Sequence, residues 1–351
     1  MSQKKIGNAW GTADMNQFLQ PVSAKPQTMQ AMTRSNYGTP DVLKLETVAR
    51  PTPDADEVLV RVHAAGVSIG DHHVVTGKPY IIRLSPHGGL FRPRNRVPGQ
   101  AMAGVVVAVG ADVTTFEVGD EVFGDVIGAF AEYVAIAVNR IAPKPSNLSF
   151  EEAACVPWAV AALQGLRDAG GLRKGQTVLI NGASGGVGTW AVQIAKALGA
   201  EVTAVCSTRN VDMVRVLGAD EVVDYARQDF AKSGLCFDLV FDTVGNRPLS
   251  DFRRILAPNG AFVSCSGGQS GTRWLLRMIW MLVVSRFTRQ KLVTLITSPN
   301  REDLLALKIL VEGRKAKPVI ERSCALDQVA GALNHVGSGH AQGQSVLGIA
   351  K

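Results

Sequence analysis

The sequence predicts an α/β chain in which a β-rich domain is joined to a second domain built on a doubly wound parallel sheet. Three observations predict it. Short apolar runs punctuated by Gly, Pro and Asp fill the first third of the chain. Strands and helices alternate between residues 176 and 265. A glycine-rich turn, Asn181-Gly182-Ala183-Ser184-Gly185-Gly186-Val187-Gly188, lies between the first strand and first helix of that alternation.

In the first region the strands are read at Val58–Val62, Gly104–Gly110 and Gly119–Gly124. Past Asn147, Ser149-Phe150-Glu151-Glu152 has the form of a capping box, which predicts a helical link into the second region. There the expected elements are a strand at 176–180, a helix at 187–198, strands at 201–206, 221–224, 237–242 and 260–265, and helices at 209–217 and 247–256. Such alternation implies parallel strands with helices on both faces. Leu292–Ile296 is read as a sixth strand and Arg301–Glu312 as a helix. Val319 and Ser345–Ile349 are read as extended, with the tail returning to the first domain.

With 351 residues, 46% of them hydrophobic, the chain is long enough for two cores. Its 36 glycines and 16 prolines form no low-complexity tract and no fixed repeat, which excludes solenoid and disordered classes. The net charge of +7 favours an anionic ligand or surface, but the basic residues are scattered and carry no aromatic-basic signature, so nucleic acid is not an expected partner. Five cysteines, Cys155, Cys206, Cys236, Cys265 and Cys324, are odd in number and widely spaced in apolar segments. They are expected to be buried free thiols of a cytoplasmic protein, not disulfides or a zinc ribbon. Residues 1–28 are polar and lack the apolar run of a signal peptide, and are expected to form a flexible extension, with a targeting role left open.

Residues 274–284 are the most apolar stretch, flanked by Arg273, Arg286 and Arg289, and are too short to span a bilayer. Three readings stay open for them: a buried or subunit-contact helix, a lid over an apolar substrate pocket, or an interfacial membrane helix.

The glycine-rich turn carries the functional prediction. Ala183-x-Gly185-x-x-Gly188 is a variant of the three-glycine dinucleotide fingerprint, in which Gly185 lets the backbone approach a pyrophosphate and Gly188 lets helix and strand pack closely. Amides of Ser184, Gly185, Gly186, Val187 and Gly188 at the helix start would hold the phosphates. The second strand ends in Cys206-Ser207-Thr208-Arg209-Asn210, with no carboxylate for a ribose 2′-hydroxyl. Two hydroxyls and a guanidinium, from Ser207, Thr208 and Arg209, suit a 2′-phosphate and favour NADP(H). The alternative is that Arg209 is an ordinary exposed residue at a helix start.

Four further motifs stand beside this turn: Ala65-Gly66-Val67-Ser68-Ile69-Gly70-Asp71, Pro98-Gly99-Gln100-Ala101-Met102-Ala103-Gly104-Val105-Val106, Phe116-Glu117-Val118-Gly119-Asp120-Glu121-Val122-Phe123-Gly124 and Ala129-Phe130-Ala131-Glu132-Tyr133-Val134. Through them the chain resembles the medium-chain dehydrogenase/reductases, in the zinc-independent quinone-oxidoreductase-like branch. The resemblance implies a GroES-like catalytic domain at 29–157, completed by 299–351. It also implies a Rossmann NADP-binding domain at 158–298, a cleft between the two, and a homodimer. The implied reaction is hydride transfer from NADP(H) to a quinone, an enone or a related carbonyl compound. Ser68 and Gln100 stand where the superfamily's zinc alcohol dehydrogenases carry a Cys and a His, and no cysteine precedes Cys155, so no metal is expected.

The resemblance also suggests site residues. Tyr80 is the first candidate for proton donor, and His73, ahead of His72, is the candidate for a relay. Asp71 is expected to order its loop by accepting backbone N–H groups. Ser68, Thr243, Val244, Ser266 and Gly267 are added to the cofactor contacts. Pro157–Gln164 lacks the branch's threonine and carries Trp158, while Gln344 replaces a frequent lysine. Two other activities stay open: a zinc-free alcohol dehydrogenase or aldehyde reductase, and an NADPH-binding regulatory or membrane-surface protein without turnover.

Overall fold

The computed structural model describes residues 27–85, 88–266 and 271–349, with backbone alone for 271–275. The expected N-terminal extension, apart from Gln27 and Thr28, lies outside the described residues, as do Gly267 and the side chains of Trp274 and Leu275.

The chain opens with an antiparallel pair, β1 (Thr28–Thr33) and β2 (Lys44–Ala49). A larger sheet follows, holding β3 (Glu57–Val67), β4 (Ala101–Val109), β5 (Glu121–Asp125), β6 (Tyr133–Ala137) and β7 (Ile141–Pro143). Strand β3 pairs with β4 and β6, and its buried positions run on without strict alternation because it is covered on both faces. It leads straight into helix α1 (Ile69–Thr76), which closes on Gly77 in the left-handed region at φ 61°.

Helix α2 (Phe150–Ala153) starts at the Ser149–Glu152 capping box, with both reciprocal bonds made. Helix α3 (Ala159–Leu163) then widens into a π-turn at Gln164–Ala169. Gly165 sits in that turn because a Cβ there would lie 2.3 Å from the Phe241 ring. Gln164 and Arg167 of the turn bond Asp303 at 2.7 and 2.6 Å, fastening the crossing to a later helix.

The second sheet is wholly parallel: β8 (Thr177–Asn181), β9 (Glu201–Cys206), β10 (Glu221–Asp224), β11 (Phe237–Asp242), β12 (Leu256–Ser264) and β13 (Lys291–Thr294), in the order β10-β9-β8-β11-β12-β13. The order reverses between β8 and β11, the crevice in which doubly wound sheets bind dinucleotides. Helices α4 (Gly186–Ala197), α5 (Val211–Val216), α6 (Leu249–Arg254), α7 (Gly271–Ser285) and α8 (Arg301–Glu312) connect and follow these strands. On α4, Trp190, Ala191, Val192, Ile194 and Ala195 are fully buried. The helix expected at 247–256 ends at Arg254 and the next strand begins early, because Pro258 cannot continue a helix and biases Ala257 to extended backbone.

The tail supplies β14 (Ile320–Ala325), α9 (Val329–Gly337) and β15 (Gln344–Gly348). Strand β15 pairs antiparallel with β3, so the C-terminus returns to the first sheet. One hydrophobic core runs from Ala64 and Phe123 through Trp190 to Val346 and joins the two sheets. All five cysteines are free thiols; against expectation Cys236 is exposed, in the loop before β11 where no strand covers it.

Candidate active site

The glycines of the turn after β8 have three different reasons to be glycine. Gly182 has φ 85°, and a Cβ there would meet the Thr243 hydroxyl at 2.4 Å. A Cβ on Gly188 would stand 2.0 Å from the Gly182 carbonyl, so this residue sets the close approach of α4 to β8. Gly185 is different: its nearest neighbour for a Cβ is the Gly182 carbonyl at 3.6 Å, so the space above it is open. The first bond within α4 runs from the Thr189 amide to the Gly185 carbonyl. The amides of Gly186, Val187 and Gly188 therefore precede the helical ladder, at its positive end, with no side-chain cap on Gly185. An open backbone face, three amides and a helix dipole form a cradle that fits a pyrophosphate.

Beyond β9, a short turn after Ser207 exposes Thr208 and Arg209 and buries Asn210. The side-chain Nδ2 of Asn210 donates to the Ser184 hydroxyl at 2.8 Å, which joins this corner to the glycine turn. Arg209 donates to the carbonyl of His340 at 2.5 Å. Thr208 donates to Asp224 at 2.6 Å, and this bond, with the Ala226 amide and Arg227, holds the Asp224 carboxyl below its usual range. The stretch 206–210 carries no acid, but the end of β10 brings one to the same corner. Arg227, 3.4 Å from Asp224, adds a second guanidinium that its sequence position gave no reason to single out.

At the ends of β11 and β12, Thr243 donates to the carbonyl of Asn181 at 2.8 Å, tying the two central strands at the switch point. Val244 is exposed, and Ser266 is half-buried beside Gly245, where a Cβ would meet its hydroxyl at 2.2 Å. Asp242 is fully buried and accepts from Asn181, from the amides of Val244 and Gly245, and from Arg277 of α7.

The start of α1 carries a second cluster. Ser68 caps the helix through the Gly70 amide at 3.0 Å, and Asp71 returns the bond by accepting the Ser68 N–H at 2.9 Å. Asp71 is fully buried; burial pushes its carboxyl up to about 7 despite the bonds from Ser68, and nearby Asp125 adds to the rise. Its Oδ1 has no partner among the described residues, nor does the buried Nε1 of Trp158. A methyl group on Gly70 would lie 3.0 Å from Gln100 Oε1, 3.2 Å from Ser68 Oγ and 3.4 Å from the Trp158 ring. Ser68, Gln100 and Trp158 thus close around one point at the head of α1. Among the described residues no three His, Cys, Asp or Glu side chains are placed to hold a metal ion.

His73 lies one helical turn on, held below its ordinary pKa by burial and by the neighbouring His72. Tyr80 is 67% exposed, with the Arg83 guanidinium 4.8 Å from its ring centre. It opens the short 3₁₀ turn Tyr80–Leu84 that follows α1.

The tail links the two clusters. Gly343 donates to the Ser184 carbonyl at 2.9 Å, and Gln344, 3% exposed, accepts from Trp190 Nε1 at 3.0 Å and donates to the Cys155 carbonyl at 3.0 Å. At this position a charged amine would face an indole N–H, a donor with no charge to give back.

Two family models match the chain: an alcohol dehydrogenase GroES-like domain over residues 54–146 and a zinc-binding dehydrogenase over residues 217–347. The 2-methylene-furan-3-one reductase of Solanum lycopersicum is 33% identical, over 92% of this chain and 79% of that protein. The chloroplastic NADPH-dependent alkenal/one oxidoreductase of Arabidopsis thaliana is 30% identical, over 92% and 80%. A solved quinone oxidoreductase from Coxiella burnetii superposes with a TM-score of 0.82 at 28% identity, covering 92% of this chain and all of that one. The chain belongs to the medium-chain dehydrogenase/reductase superfamily, in its quinone-oxidoreductase-like branch.

Proposed function

We propose that this chain is an NADP(H)-dependent, zinc-independent oxidoreductase that reduces quinones, enones or related carbonyl compounds. The observation that carries the reading is the open face of Gly185 beneath three helix-start amides, between two glycines whose positions tolerate no side chain. The named activities of the enone, alkenal and quinone enzymes it resembles support the acceptor class.

When bound, the nicotinamide supplies a hydride to the acceptor. The chain supplies position. Gly186, Val187 and Gly188 hold phosphate through their amides. Thr243, Val244 and Ser266 border the crevice next to them, and Gln344 keeps α4 fixed against the first sheet. Ser207 and Arg209 offer a 2′-phosphate a hydroxyl and a guanidinium, while the Asp224 carboxylate at the same corner is taken up by the Thr208 hydroxyl and by Arg227. The oxygen of the acceptor that gains charge takes a proton from His73, Tyr80 or water, and Asp71 positions Ser68 and the first turn of α1. Ser68 and Gln100 are poor metal ligands, which supports a reaction that runs without zinc.

The test is oxidation of NADPH and of NADH by the purified chain with a quinone, an α,β-unsaturated ketone and a saturated aldehyde. The proposal expects NADPH to be the better donor and the quinone or enone the better acceptor. Preference for the aldehyde would make the chain a carbonyl reductase, and tight NADPH binding without turnover on any of the three would overturn the reading.

A further inference from the structure

Helix α7 is apolar on two faces, and only one of them is used. On the inner face Met281 and Val284 are buried at 2% and 8% exposure, and Arg277 reaches inward to Asp242. On the outer face Leu276, Ile279, Trp280 and Val283 recur at helical spacing and are 65%, 48%, 57% and 44% exposed. Leu282 widens that face, and Phe287, 86% exposed, continues it just past the helix end. Such a run is larger than the scattered apolar residues of an ordinary surface and calls for an occupant.

Charge identifies the occupant. Arg286, Arg289 and Lys291, in the residues that follow the helix up to the start of β13, are exposed, and no carboxylate of the described residues forms an ion pair with them. Residues 271–291 contain no Asp or Glu at all. A second copy docked through the same face would bring this positive set against itself, with no acid from the segment to answer it. An anionic phospholipid surface answers both features: tryptophan and aliphatic side chains enter the headgroup boundary and the basic residues meet phosphates. Among the described residues no helix is long and apolar enough to cross a membrane, so α7 would lie in the surface plane.

We propose that the outer face of α7, from Leu276 to Phe287 with Arg286, Arg289 and Lys291, docks this protein on an anionic lipid surface. The contact does not depend on which acceptor the enzyme reduces.

The test uses the full chain in co-sedimentation with vesicles of phosphatidylcholine alone and of phosphatidylcholine with phosphatidylserine. The wild type is expected to pellet with the anionic vesicles, weakly with neutral ones, and less as salt rises. Trp280→Glu with Phe287→Glu changes two exposed side chains and should abolish pelleting while thermal unfolding stays unchanged. Arg286→Gln with Arg289→Gln should weaken it by about fivefold per charge removed. Failure of the wild type to pellet, or pelleting that neither pair of substitutions reduces, would overturn the proposal. So would a wild-type dimer that the Trp280→Glu, Phe287→Glu variant converts to monomer without any vesicle binding, since the face would then be a subunit contact.

Discussion

Arg277 of α7 donates to the fully buried carboxylate of Asp242 at 2.8 Å, and the other oxygen of that carboxylate holds the amides of Val244 and Gly245. One ion pair therefore fixes both the seat of α7 and the shape of a turn at the nucleotide crevice. The guanidinium also lies 5.2 and 5.6 Å from the ring centres of Phe262 and Phe252, so it is held by aromatic faces as well as by charge.

Replacing Arg277 by Met leaves the Asp242 charge buried without its partner. The variant is expected to lose about 3 kcal/mol in chemical denaturation, the usual cost of breaking a buried pair from one side. Adding Asp242→Asn should recover much of that loss while the Val244 turn stays weakened. Equal stability of wild type and the single variant would show that the pair does not seat α7.

The glycines of the cradle predict two different failures. Gly188→Ala forces a methyl against the Gly182 carbonyl and should cost about 1–3 kcal/mol of stability, as overpacking does. Gly185→Ala meets nothing within 3.6 Å in the protein, so its unfolding should match wild type. NADPH affinity should nevertheless fall by about 10- to 100-fold, because the methyl occupies the phosphate approach. Calorimetric unfolding and a binding titration on each variant separate the two.

Arg209→Ala should weaken NADPH by about 10- to 100-fold and leave NADH nearly unchanged if the guanidinium reads a 2′-phosphate. An equal loss for both cofactors would assign the residue to its bond with the His340 carbonyl instead. Thr208→Val, whose hydroxyl serves Asp224, is expected to affect the two cofactors alike.

Asp71 predicts a pH dependence. Burial raises its folded pKa to about 7, above the unfolded carboxylate value. Between those two values the folded state holds more protons at this site than the unfolded chain, so the stability that Asp71 contributes is fully present below the unfolded value and is lost as pH rises through about 7. Asp71→Asn removes that slope. Melting temperatures at about pH 5 and about pH 8 should show the variant gaining on wild type at the higher pH. A pH-independent difference would mean that Asp71 is ionised throughout.

The parallel sheet was legible because each strand is a short apolar run covered on both faces and each crossover helix has its own period, so local composition decides both. Helix α1 was not, since Gly70 in its first turn and two histidines mask its period; the Ser68-x-x-Asp71 capping box was the available signal. At the site, Gly185 and Gly188 could be read because a glycine's reason is local. The bonds that complete the site are not local: Thr208 with Asp224, Arg277 with Asp242 and Trp190 with Gln344 join residues 16, 35 and 154 apart. Asp224 shows the consequence, since a corner without an acid in sequence has one in space.

The proposed function requires that NADPH held on the cradle pass its hydride straight to the acceptor. NADPH deuterated in turn at each face of the nicotinamide ring, reacted with an α,β-unsaturated ketone on the purified chain, reads that transfer in the product. Mass spectrometry of the product should find one deuterium from one labelled face and none from the other. Product without deuterium from either face, or no product while NADPH stays bound, would contradict it.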